Sequence, residues 1–351
     1  MYKVTIAIPL YNAERYIQET LLSALEQTFE SIEILIIDDK STDGSISIVK
    51  NLQQTHPHGK NIRICSHKTN QGVAMARNTA IANAMGEYFF FLDSDDLITP
   101  DCISLLYETA QTNGSDVTIG SYKETHYKDF KEEVFRFSYQ NMKGKDKFIS
   151  FLYSYPYYPP YKTIWNTLFK LSFLTEKRLK FDNIRKCEDT LFIAQMAPEV
   201  ESYTTISDIT YMYNKREGSL CQYNPRTTIP AEEIELQTYV RVRIKNIAAQ
   251  YIDNTYEEHF MTHAMMSSFE AACIILNKKK LIVPREVADS TAKQLLDHPL
   301  NLNKIRYFKK YKQINIVWML LGKLPYSIQK PCLICFQYGI KWYRKLKHRM
   351  R

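Results

Sequence analysis

Four short apolar runs, Val4–Ile8, Ile32–Ile37, Ile62–Ser66 and Tyr88–Leu92, recur at intervals of about 25–30 residues. Each has the length of a strand, and each interval has room for one helix. Between the first two runs Ile17, Leu21, Leu22 and Leu25 repeat at helical spacing. Parallel strands need crossover connections of this length, and such crossovers are right-handed. The opening of the chain is therefore predicted to be α/β, a Rossmann-like, mostly parallel sheet flanked by helices. Ser41 to Ser45 supplies turn and N-cap residues for the next helix. Thr99-Pro100-Asp101 does the same further on, with Pro100 suited to the first helical position. Asp116 to Gly120 reads as a further strand.

Two acidic clusters follow directly on two of the predicted strands: Asp38-Asp39, and Asp93-Ser94-Asp95-Asp96. Carboxylates this close repel one another, so stability does not account for them. Beyond strand ends they suit a hard divalent cation, which takes one or two carboxylates and completes its shell with water and phosphate oxygens. In open α/β sheets ligands bind in the crevice beyond the carboxyl ends of the strands.

The chain has 351 residues, more than one average domain. Past residue 120 the pattern loosens: Lys123 to Tyr139 is polar and aromatic without a clear period. Tyr153 to Trp165 is crowded with tyrosine and proline, which predicts an extended loop carrying amphipathic rings. Glu188 to Met196 reads as a helix and Ile206 to Tyr213 as a strand, and from about Pro230 to Leu296 the apolar spacing is helical. The predicted organisation is an α/β domain over 1–225 in two halves, 1–120 and 121–225, a helical extension over 226–300 and a basic, aromatic-rich tail over 301–351. That tail holds 13 Lys or Arg and no Asp or Glu; since the whole chain is +8, residues 1–300 carry −5.

The seven cysteines show no disulfide-framework spacing, which points to a reducing compartment, and Cys332 and Cys335 are expected to be buried free thiols. The N-terminus runs straight into a strand, and no run reaches the roughly 18–20 apolar residues of a membrane span. The expected location is the cytoplasm, peripheral at the inner face of the membrane.

Residues 1–120 resemble family 2 glycosyltransferases of the GT-A fold. The resemblance rests on Ile8-Pro9-Leu10-Tyr11-Asn12, on Ile37-Asp38-Asp39-Lys40-Ser41-Thr42-Asp43-Gly44-Ser45, on Asn70-Gln71-Gly72 with Ala76-Arg77-Asn78, and on Leu92-Asp93-Ser94-Asp95-Asp96. Lys40 departs from the glycine common at its position. The resemblance implies that Asp38 and Asp39 meet the nucleotide, Asp39 accepting from the uracil N3–H of a UDP-sugar. Tyr11 would lie against the base, with Pro9 also in the nucleotide-sugar site, although Tyr11 also fits a rim aromatic. Arg77 would approach the diphosphate or the base, unless it is an ordinary solvated helix arginine.

The same resemblance makes Asp93, Asp95 and Asp96 a DxD-type motif that contacts ribose and binds Mn²⁺ or Mg²⁺, with Asp96 open to the alternative of capping a turn. It assigns Asp189 as general base with Glu188 beside it; first-turn acids favoured by the helix dipole are the alternative. Trp165 becomes an acceptor platform or a core tryptophan, and Arg216 a cation for the leaving diphosphate. The implied activity is inverting transfer of a hexose or N-acetylhexosamine from a nucleotide-diphospho-sugar to a saccharide or lipid-linked acceptor in surface polysaccharide synthesis. A sugar nucleotidyltransferase fits poorly, because no glycine-rich loop follows the first strand. An inactive transferase-like membrane or assembly module is the other alternative. The basic tail suits an anionic membrane surface or a solvated helical face better than nucleic acid, since the rest of the chain is acidic.

Overall fold

The computed structural model describes residues 2–126, 131–153, 163–215, 228–252, 257–333 and 335. The chain divides into two compact units, residues 1–148 with 159–222, and residues 149–158 with 223–351.

The first unit begins with the predicted alternation: β1 (Val4–Leu10), α1 (Ile17–Leu25), β2 (Ile32–Asp38), α2 (Ser45–Thr55), β3 (Ile62–Ser66), α3 (Val73–Asn83) and β4 (Tyr88–Phe91). β1 pairs in parallel with β2 and β4, and β2 with β3. β1 and β2 are buried along their whole length, which explains why they read as unbroken apolar runs rather than alternating ones. Pro9 is tolerated in β1 because the pairing with β4 stops at Ala7.

Past β4 come β5 (Leu97–Ile98), α4 (Cys102–Asn113), β6 (Val117–His126), β7 (Glu132–Phe135), β8 (Gln140–Lys143) and α5 (Lys145–Tyr153). Then follow β9 (Thr167–Lys170), α6 (Leu171–Glu176), α7 (Glu188–Met196) and β10 (Ser202–Lys215). The sheet order is β3-β2-β1-β4-β9-β6-β10-β5, with β7 beside β6 and β8 beside β10. β9 lies antiparallel to β4 and β6, so this half is mixed where a mostly parallel sheet was expected. The stretch 123–139, which showed no period, holds the end of β6 and its hairpin partner β7. There one strand face is half-open and the polar–aromatic mixture is that of an edge. Pro100 is not the first helical residue: α4 starts at Cys102, behind Asp101.

The second unit contains β11 (Ile229–Pro230), α8 (Ala231–Gln250), α9 (Glu257–Asn277), β12 (Ile282–Val283), α10 (Glu286–Leu296), α11 (Leu302–Ile305) and α12 (Lys312–Lys323). Lys245, buried in α8, donates to the carbonyls of Gln294 and Leu295 and so holds the C-terminal end of α10. Burial lowers its pKa to about 8. Cys332 is half-buried and Cys335 exposed, correcting the expectation that both are buried.

Candidate active site

The loops that leave β1 and β2 are knitted together. The Asp39 N–H donates to the Leu10 carbonyl at 2.8 Å, and Asn12 Oδ1 accepts from the Thr42 N–H at 2.8 Å. Ser45 Oγ accepts from the Ala13 N–H at 2.8 Å, and Asp38 Oδ1 accepts from the Ser41 N–H at 2.9 Å. Lys40 has φ 67°, a left-handed conformation that costs an L-residue more than glycine and accounts for the glycine common there. Tyr11 projects from this loop pair with 50% of its surface exposed, whereas Pro9 is buried in the strand.

Asp39 is buried and faces the start of α3. Its Oδ1 accepts from the Gln71 N–H at 2.8 Å and its Oδ2 from the Gly72 N–H at 2.7 Å. Gly72, at φ 89°, turns the chain so that these N–H groups point back at the carboxylate. A helix N-terminus favours a negative charge in this position. His67 Nδ1 lies 2.7 Å from Asp39 Oδ1, and its Nε2 lies 2.9 Å from Thr79 Oγ1. His67 was not foreseen from the sequence; its place, directly after β3 and opposite Asp39, was the available signal.

One turn into α3, Arg77 is 4% exposed. It donates through Nη1 to Glu188 Oε1 at 2.7 Å and through Nη2 to Asp93 Oδ1 at 3.0 Å. Phe91 and Phe181 flank the guanidinium, whose carbon lies 6.0 and 5.7 Å from their ring centroids. Burial works against its charge, but Asp93, Glu188 and Asp189 outweigh that and hold its pKa above the ordinary arginine value. The next residue secures the arrangement. Asn78 Nδ2 donates to the Phe181 carbonyl at 2.9 Å, and Asn78 Oδ1 accepts from the Phe181 N–H at 2.8 Å. This amide pair fastens α3 to the segment that leads into α7. Arg77 is thus neither a solvated helix arginine nor open to the surface; it faces carboxylates.

The predicted metal motif separates into two kinds of carboxylate. Asp93 and Asp95 are partly exposed, whereas Asp96 is 1% exposed. Asp96 Oδ2 accepts from the Tyr211 hydroxyl at 2.8 Å and Oδ1 from the Asn214 N–H at 3.0 Å. Burial, then the charges of Asp95 and Asp93, push its pKa well up. Asp96 therefore fastens the loop after β4 to β10, which favours the structural alternative to metal ligation that its sequence context left open. Asp93 and Asp95, hard oxygen donors with some access to solvent, fit a Mn²⁺ or Mg²⁺ site completed by water and diphosphate oxygens.

Among the described residues, Glu124, His126 and Glu133 at the β6–β7 edge are the three side chains whose ligand atoms lie within 4.8 Å of one another. Lys215 and Lys131 already pair with the two carboxylates.

α7 starts at Glu188, as predicted, behind Cys187 at φ 62°. Glu188 is held by Arg77, and Asp189 Oδ1 accepts from the Thr190 N–H at 2.9 Å. Both carboxyls have raised pKa values. Burial is the main cause for each; the charge of Asp189 adds to it at Glu188 and that of Asp93 at Asp189, and Arg77 opposes it in both.

Trp165 is 8% exposed, stacked on Tyr211 at 4.7 Å and Tyr213 at 5.3 Å with Tyr122 edge-on. Its burial among these rings favours the core tryptophan over the acceptor platform, the two readings its sequence context left open. Arg216 and most of the tyrosine-rich loop lie outside the described residues.

A Rossmann-like half-sheet continued by mixed strands, with its carboxylates gathered at the strand ends, defines a GT-A architecture. Solved structures agree on the fold. S. aureus TarS 1-349 in complex with UDP-GlcNAc superposes with a TM-score of 0.69 at 19% identity, over 92% of this chain and 90% of that one. The mannosyltransferase PcManGT from Pyrobaculum calidifontis, in complex with GDP-Man and Mn²⁺, gives 0.53 at 19% identity over 97% and 88%. In sequence, a poly(ribitol-phosphate) beta-glucosyltransferase of Bacillus spizizenii is 33% identical over 221 residues, 62% of this chain but 33% of that protein. Glycosyltransferase GlyG of Streptococcus pneumoniae serotype 4 is 28% identical over 230 residues, 62% of this chain and 72% of that protein. Residues 5–173, just under half of the chain, match the family model described as Glycosyl transferase family 2.

Proposed function

We propose that the protein is an inverting glycosyltransferase that moves a hexose or N-acetylhexosamine from a UDP-sugar to a saccharide or lipid-linked acceptor in bacterial surface polysaccharide synthesis. The observation that carries this reading is the Arg77 bridge. One buried guanidinium joins Asp93, from the motif beyond β4, to Glu188, the neighbour of Asp189 at the head of α7. On this reading Asp93 is a donor-side and Glu188 an acceptor-side carboxylate, and the bridge supports their working together.

In the proposed reaction Tyr11 lies against the nucleobase, and Asp38 and Asp39 shape its pocket. Asp39 contributes through the backbone it orders as much as through its own oxygens. Asp189 takes the proton from the acceptor hydroxyl as that oxygen attacks the anomeric carbon. The new C–O bond forms on the face opposite the departing UDP, which leaves with the electron pair of the broken bond, so an α-linked donor gives a β-linkage. The raised pKa of Asp189 makes it a stronger base than an ordinary aspartate. Asp93 and Asp95 would hold a divalent ion, which when bound offsets charge on the diphosphate. Glu188 and Arg77 act as positioning residues. The UDP-GlcNAc bound by the TarS neighbour and the polymer named for the Bacillus relative support the donor and product classes. The basic C-terminal region would keep the enzyme at an anionic membrane surface.

Calorimetric titration with UDP-glucose, UDP-galactose and UDP-N-acetylglucosamine, in Mn²⁺ and in EDTA, tests the donor. Metal-dependent binding of one of them, lost in Asp95→Ala, supports the reading; binding of none removes it.

A further inference from the structure

Helix α12 is apolar on its buried side and also on an exposed flank beside it. Its inward side buries Trp318, Met319 and Leu321 within the helical unit. Its outward side carries Val317 and Leu320, 46% and 54% exposed, and Leu324, which caps the end of the helix, is 39% exposed. Positions 317, 320 and 324 are three and four apart, so they share a face as the helix ends. A surface helix ordinarily sets polar residues opposite its core stripe, and an exposed apolar patch of this kind marks an interaction site.

The helix cannot simply roll these residues inward. The carboxylate of Glu258 holds the turn before it, Oε2 accepting from the Lys309 N–H at 2.9 Å and the Lys310 N–H at 3.2 Å. Asn315 Nδ2 donates to Thr262 Oγ1 at 2.9 Å. Both contacts fix the rotation of α12 with its second apolar side outward.

Exposed cations lie near that side in the chain, two on α12 itself and four in the residues just before it. Lys304, Arg306, Lys309, Lys310, Lys312 and Lys323 are exposed. From Asn301 to Arg351 the chain has 13 Lys or Arg and no Asp or Glu. A second copy meeting this face would bring the same positive charge against it. A nucleic acid would engage the cations and leave the apolar residues unmatched. An anionic lipid surface matches both, headgroups taking the lysines and the acyl boundary taking the apolar side chains. Among the described residues no helix is long and apolar enough to cross a membrane, so the contact is along the surface.

We propose that the outward face of α12, Val317, Leu320 and Leu324 with the flanking lysines, is the seat on which the protein lies against an anionic lipid bilayer. The proposal deepens the membrane part of the function proposed above.

Co-sedimentation of the full chain with phosphatidylcholine vesicles, with and without phosphatidylglycerol, tests it. The wild type should sediment with the anionic vesicles and at least about tenfold less with the neutral ones. Val317→Asp/Leu320→Asp should lower anionic partition by about tenfold or more, and Leu320→Gln, a milder change that keeps the fold, should lower it severalfold. Equal partition into both vesicle types, or variants that sediment like wild type, would overturn the proposal. So would a wild-type dimer made monomeric by the double variant with sedimentation unchanged, since the face would then join two copies. UDP release from the same proteins without vesicles separates the two readings. Turnover kept while sedimentation falls concerns this face alone, and wild-type turnover absent throughout concerns the transferase assignment.

Discussion

Arg77 and Glu188 lie 111 positions apart in the chain and meet at 2.7 Å with both side chains withdrawn from solvent. Neither charge is tolerable there alone, so each requires the other, and the contact draws the start of α7 to the middle of α3. Removing Arg77 leaves Glu188 buried without its partner. Arg77→Ala should cost about 3–5 kcal/mol of stability, read by chemical denaturation. Arg77→Lys restores charge but not the fork that reaches two carboxylates, and should recover stability only in part.

Asp96 and Asp95 are neighbours with opposite expected phenotypes. Asp96→Ala leaves the Tyr211 hydroxyl and the Asn214 N–H without their acceptor, and should destabilise the fold by about 1–3 kcal/mol. Its donor binding should keep the wild-type dependence on Mn²⁺. Asp95→Ala should abolish the difference between Mn²⁺ and EDTA in donor titrations.

The pH dependence of turnover follows from the raised carboxyls. A base works in its ionised form, and a raised pKa moves the pH at which that form is lost upward. The acid limb of kcat/KM should therefore lie above the ordinary aspartate value of 3.8. Since the positive charge of Arg77 lowers the pKa of Asp189, Arg77→Gln should shift the limb further up. A limb at the ordinary value, unmoved in Arg77→Gln, would contradict the assignment.

His67 tests whether Asp39 acts through its ordered surroundings. His67→Phe removes the ring nitrogens that meet Asp39 and Thr79 and leaves the α3 N–H contacts in place. The expected result is a raised KM for the donor with kcat little changed, measured in steady-state assays.

The nucleotide half of the fold is legible in the sequence because its strands are buried on both faces. Val4–Leu10 and Ile32–Asp38 have no polar alternation to confuse with a helix, and their acidic ends stand out. Glu188–Met196 is equally plain. What the sequence hides is pairing at a distance. The Asp96 oxygens are taken by Tyr211 and Asn214, 115 and 118 positions downstream, and no local pattern announces that. Trp165 has the composition of a sugar platform and the surroundings of a core, a difference made by Tyr211 and Tyr213 on β10. The β6–β7 hairpin shows no clear alternation because it lies at an edge with partly open faces.

UDP release from a panel of UDP-sugars in Mn²⁺, comparing wild type with Asp189→Asn, tests the central claim most directly. Slow hydrolysis of one donor by wild type is predicted, reduced by about 10²–10⁴-fold in Asp189→Asn. Donor affinity, measured alongside, should be unchanged. Turnover that survives in Asp189→Asn at the wild-type rate would contradict the account.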